Sequence, residues 1–172
     1  MENFKELYTE LAEIIATNVP GVEWVDLWHN QVNFLEEEHP FPAPAVFLSF
    51  RSNQIEDTGQ NVQNLDVQVD VYLFYETFAD TFRGNYNQAS ALDFLDMLTA
   101  IHKQLHGTQG EHFESMRRTD VRDVDTGSAQ NLYRQSYSCI VNDTSAWDGG
   151  EQIVDDQGNP VSETGFQGYH FD

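Results

Sequence analysis

One cysteine, Cys139, stands in 172 residues. No disulfide can close within the chain, so its fold does not depend on an oxidising compartment. Basic side chains are nearly as scarce. Eight Lys and Arg stand against 29 Asp and Glu, for a net charge of −21, which argues against gripping nucleic acid through the surface as a whole. Such a charge favours solubility and either basic partners or repulsion of DNA, the alternative being simply a solvated acidic surface. No apolar run approaches the ~18 residues a membrane span needs. Met1 leads into the charged ENFKELYTE, a pattern of neither signal nor transit peptide, so a soluble cytoplasmic product is expected. No glycine-rich phosphate loop, no GxSxG elbow and no internal repeat occurs, so no nucleophile and no catalytic residue is assigned. Acidic clusters such as Glu36-Glu37-Glu38 and Asp120/Asp123/Asp125 lack the spacing and glycine of a calcium loop.

What the chain does have is alternation. In NVQNLDVQVDVYLFYE, Asn61 to Glu76, the apolar residues Leu65, Val67, Val69, Val71, Leu73 and Tyr75 take every second place. That period defines a strand with one buried face, and Tyr72 and Phe74 make the other face apolar at its end. This is the expected central strand, its end covered by another part of the chain or by a partner. Before it, Phe4, Leu7, Leu11, Ile14 and Ile15 mark an amphipathic helix with Asn3 as N-cap and Asn18 with Pro20-Gly21 as its stop. Val22 to Trp28 reads as a short strand. Residues 31–44, with three glutamates and Pro40, Pro42 and Pro44, read as an extended connection. Ala45 to Phe50 is a strand buried on both faces, and polar Arg51 to Gly59 reads as the long loop of a hairpin.

Beyond the central strand, residues 77–88 form a loop carrying Phe78, Phe82 and Tyr86. These aromatics either fold back on the core or dock on a neighbouring subunit. A second helix follows, expected to begin with Ser90 and Asp93 as a capping box, to carry the stripe Leu92, Leu95, Leu98, Ile101 and Leu105, and to end at Gly107. Residues 113–125 read as an edge strand, 126–128 as a turn and 131–142 as a final strand. The last 30 residues hold seven acidic residues, five glycines and no Lys or Arg. They read as an extended acidic arm. The expected division is therefore a domain over 1–142 and an arm over 143–172. The fold class is α+β, an antiparallel sheet with two helices on one face.

Two clusters carry candidate chemistry. His102 and His106 lie four apart on the second helix with His112 beyond, a spacing zinc can use. Lys103, Gln104 and Leu105 between them supply no general base, so the histidines read as decoration favourable to a helix C-terminus and no metal is assigned. Cys139 in mid-strand reads as a small buried hydrophobe. Arg117, Arg118, Arg122 and Arg134, half of all the basic residues, gather on the final hairpin. They either neutralise Asp120, Asp123 and Asp125 locally or serve head-to-tail association with an acidic face of the next copy.

The segments VPGVEWVDLW, FPAPAVFLSF, VQVDVYLFYE, ALDFLDMLTAIHKQLHG and YRQSYSCIV, in the order helix, strand, strand, long strand, helix, hairpin, resemble the tail terminator, or tail completion, proteins of long-tailed bacteriophages and contractile injection systems. The resemblance covers roughly residues 1–142; the acidic arm has no counterpart in it. It implies a virion protein forming a ring, usually hexameric, that caps the tail tube and docks the tail to the neck, with DNA passing through the lumen unbound. It implies no cofactor and no reaction; the partners would be further copies, the tail tube protein and a neck or connector protein. The interface candidates are Arg117, Arg118, Arg122, Arg134, Phe74, Phe78, Phe82 and Tyr86. Two alternatives belong to assembly and binding: a head–tail connector or head-completion ring, and a monomeric acidic binding module. A third, from another class, is a small metal-dependent enzyme using His102, His106 and a carboxylate.

Overall fold

A computed structural model describes residues 2–33, 41–76, 81–125 and 131–147. The elements are α1 (Glu2–Asn18), β1 (Trp24–Leu27), β2 (Ala45–Gly59), β3 (Val62–Tyr75), α2 (Gln88–Ala91), α3 (Asp93–Leu105), β4 (Arg117–Asp123) and β5 (Asn131–Asp143), with one turn of 3-10 helix at Gln31–Asn33. The strands form one sheet in the order β1-β2-β3-β5-β4, which puts β3 at its centre, as its alternation requires. The fold is α+β. The sheet is mixed rather than wholly antiparallel, because β1 runs parallel to β2, Trp24 opposite Ala45 and Leu27 opposite Leu48.

Both long helices lie on one face. Leu7, Leu11 and Ile15 of α1 and Phe94, Leu98, Ile101 and Leu105 of α3 close over Val46, Leu48, Val67, Val69, Val71, Leu73, Tyr137, Cys139 and Val141. Phe94, not Leu95, completes the stripe of α3; Leu95 is exposed. The helix starts without a side-chain cap at Leu92, with Asp93 already in its first turn, and Ser90 donates to the Asn87 carbonyl, so the expected capping box does not form. Asn3 likewise lies inside α1 rather than capping it.

The other sheet face is divided. Its near end is apolar: Ala45, Phe47, Tyr72, Phe74 and Leu132 are buried under Val32, Trp28 and Phe41. Trp28 stacks on Tyr72 with centroids 4.2 Å apart, and Phe41 meets Phe47 and Phe74 edge-on. The chain itself thus covers the doubly apolar end of β3.

The polar segment Arg51 to Gly59 corrects the sequence expectation. It is not a loop but the continuation of β2, paired to β3 as far as Gly59 opposite Val62. The turn is only Gln60-Asn61, with φ of 55° and 61°. Positive φ at both loop residues matches the twist of the flanking strands, so a two-residue connection suffices. Polarity misled here because this half of β2 is exposed on both faces and needs no apolar alternation.

Candidate functional site

The side chains on the helix-free face fall into cross-strand rows. Arg51, Gln68, Ser138 and Arg117 make one row; Ser49, Asp70, Ser136 and Asp120 the next; Phe47, Tyr72, Arg134 and Arg122 the third. Four of the eight basic residues therefore share one sheet face, brought together by strand alternation. Arg51 lies far from the hairpin in sequence, and only the unexpected length of β2 reveals it.

These rows are hydrogen-bonded into a network. Arg51 donates to Gln68 Oε1 at 2.6 Å, and Gln68 donates to Asp70 Oδ1 at 2.8 Å. Ser136 also donates to Asp70, whose carboxylate lies 4.0 Å from Arg134 Nε. Arg134 Nη2 reaches Asp120 at 3.5 Å, and Arg122 Nε donates to the same oxygen at 2.6 Å. The hydrogen bond from Arg122 is the main cause holding the Asp120 carboxyl below its ordinary value; burial opposes it, and Arg134 adds to it. For Arg134, burial disfavours the charge, but bonding to Tyr72 and the nearby Asp70 carboxylate outweigh that and raise its pKa. Ser138 to Asp66 and Asn142 to Asn64 continue the ladder towards the far end of β3. The arginines are thus partly paired locally, but Arg122 keeps over half of its side chain exposed (59 %).

Arg118 points the other way. Its guanidinium donates to buried Gln135 at 3.1 Å, and its amide donates to His106 Nδ1 at 3.0 Å. The His102 and His106 rings lie 4.8 Å apart. The His102 pKa is lowered by burial first, then by Arg118 and His106. His112 is elsewhere: its Nδ1 lies 3.2 Å from Glu10 of α1, which also accepts the amides of Glu111 and His112. The three histidines therefore do not converge. Among the described residues no three His, Cys, Asp or Glu side chains come together for a metal. Open clefts of 310 and 540 Å³ flank the His112 contact; both are lined by Glu6, Glu111 and His112, the second also by Glu10, Glu13 and Ile14.

Of the aromatic candidates, Phe74 is 1 % exposed and packed under Phe41 in the core, so it offers no surface to a neighbouring chain. Phe82 and Tyr86 are exposed at 63 % and 93 %. Phe78, the 126–128 turn and most of the acidic arm lie outside the described residues. Cys139 is buried as expected, and burial, helped by Asp66, pushes its thiol up to about 12. No helix is long and apolar enough to cross a membrane, among the described residues.

The class these features define is a two-layer α+β sandwich with one helix-covered face and one polar, arginine-bearing face. No protein-family model matches the chain, and no curated protein matches it. Among solved structures it is similar to a chain from the virion of a native gene transfer agent particle. The identity is 11 %, the match covers 82 % of this chain and 92 % of that one, and the TM-score is 0.39. A likeness of that degree says nothing by itself about what this chain does.

Proposed function

We propose that this protein is a structural component of a virion, a tail terminator whose copies form a ring that caps the tail tube and joins it to the neck. The reading grows from the sequence resemblance. The observation that carries it is the sidedness of the sheet: helices cover one face, while the other gathers half of the basic residues of a −21 chain in adjacent cross-strand rows. A polarised surface of this kind suits head-to-tail contact between acidic copies, because complementary potential fixes register and orientation. The remaining acidity suits a wall along which DNA passes without sticking. Function is then carried by surfaces and involves no reaction. Electron microscopy of the purified protein mixed with tail tubes tests this. Rings seated at one tube end support it, and tubes with both ends bare at saturating protein sink it. Rings that bind a portal or adaptor in preference to the tube would move the assignment to a head–tail connector.

A further inference from the structure

The sheet ends in two edges that match each other. On one side β1 covers β2 only as far as Leu48, whose carbonyl accepts from Trp28. Among the described residues, no strand pairs with the outer side of β2 from Ser49 to Gly59. The backbone of Leu48 points outward there. Ile55 shares that direction, because its partner Leu65 has the same parity along β3 as Val71, the partner of Leu48. On the other side lies β4. The Val124 amide donates inward to Leu132, so by alternation Asp123 and Val121 turn their backbone groups outward. The N-terminal end of β4 is already occupied, the Arg118 amide bonding to His106 and Gly107 and Thr108 bonding to Met116. Unpaired edges of this kind are templates for another strand.

Side chains on the two edges match as well. Ile55, opposite Leu65, and Val121, opposite Gln135, both stand on the helix side of the sheet. Both are exposed apolar residues, at 55 % and 44 %. Antiparallel pairing of β4 with the β2 edge of a second copy, Val121 opposite Ile55, places this apolar pair on one face. It also brings Arg118 towards Asp57 and the acidic end of β4, Asp123, towards Arg51, while Asp120, which faces Glu56, is already neutralised by Arg122 and Arg134 of its own copy. Cross-strand pairs of these two kinds are favourable.

We infer that the sheet of one copy continues into the next through β4 and the outer half of β2, with Val121 and Ile55 as opposed residues. The occupant of each edge is thus a second copy of this chain, and the inference rests on the ring reading for that partner. Within one copy Val121 is level with Leu48, across Gln135 and Val71. Meeting Ile55 instead steps neighbouring copies along the strand by about 20 Å, at roughly 3.3 Å per residue. The strands then run oblique to the ring axis, as closure of any sheet requires.

The test is a double variant, Ile55→Cys with Val121→Cys, oxidised mildly and run without reductant. Buried Cys139 does not compete. Opposed residues in an antiparallel pair lie within disulfide reach, so a ladder of linked species from dimer upward is expected. Each single variant should stop at dimer or below. Val121→Pro supplies an independent arm, since the lost N–H points outward and no internal ladder bond depends on it. It should weaken self-association at least tenfold with circular dichroism unchanged. Assembled rings that do not cross-link, unaltered association of Val121→Pro, or a chain that stays monomeric even with tubes present each overturn the pairing. Cross-linking without any binding to tube ends keeps the pairing and removes the terminator assignment instead.

Discussion

Gln135→Leu removes the polar link between the sheet and α3 at nearly constant volume. Gln135 is fully buried. Its Nε2 donates to the Leu98 carbonyl at 2.8 Å, and its Oε1 accepts from Tyr137 at 2.8 Å and from Arg118 at 3.1 Å. Tyr137 is also fully buried, and burial raises its phenol pKa, so the hydroxyl stays a neutral donor. With leucine at 135 that donor loses the acceptor it has in this structure. An unsatisfied buried hydroxyl costs about 1–3 kcal/mol, and the other lost bonds add about 1 kcal/mol. A total of about 2–4 kcal/mol follows, or a fall in Tm of roughly 4–16 °C at this chain length. Tyr137→Phe alone should cost about 1 kcal/mol. The double variant should be less destabilised than the sum by about 1 kcal/mol or more, because an apolar pair leaves no orphan. Urea unfolding of the four proteins reads all of these. A Gln135→Leu chain within about 0.5 kcal/mol of the parent, or strict additivity, would refute the reasoning.

Three further outcomes are expected. Gly110→Ala should destabilise by about 1–3 kcal/mol in thermal unfolding, because a Cβ there runs into the Glu10 carboxylate and the Phe113 ring. Phe74→Asp buries an unpaired charge and should cost more than about 4 kcal/mol, whereas Phe82→Asp and Tyr86→Asp should leave monomer stability within about 0.5 kcal/mol and impair assembly, read by native mass spectrometry. The folded Cys139 thiol ionises near 12 against 9.0 when free, so the folded chain holds its proton more tightly. This contribution to stability is complete below pH 9 and is lost as pH rises towards 12; unfolding midpoints of Cys139→Ala should fall less over that range than those of the parent.

Elements with one buried face were legible in the sequence. The alternation from Leu65 to Val71 marked β3, and the spacing of Leu7, Leu11 and Ile15 marked α1, because burial imposes a period. The outer half of β2 was not legible, since exposure on both faces leaves no period to read and Arg51 to Gly59 has the composition of a loop. Missing that half hid Arg51 from the arginine set and hid an open sheet edge. Phe74 departs from expectation for a different reason: a second apolar face says that something covers it but not what, and here the cover is Trp28 and Phe41. The histidines were separated by a contact between residues 10 and 112 that no local pattern encodes.

The position of β3 also has a consequence for synthesis. Its two flanking partners are made at very different times: β2 immediately before it, and β5 only after the whole of α3, as the pairing of Asn64 with Asn142, 78 residues apart, records. While the chain is being made, the central strand is therefore an unguarded edge until β5 emerges. Nascent chains halted before residue 131 should be the species that clump, and full-length chains released quickly should escape it.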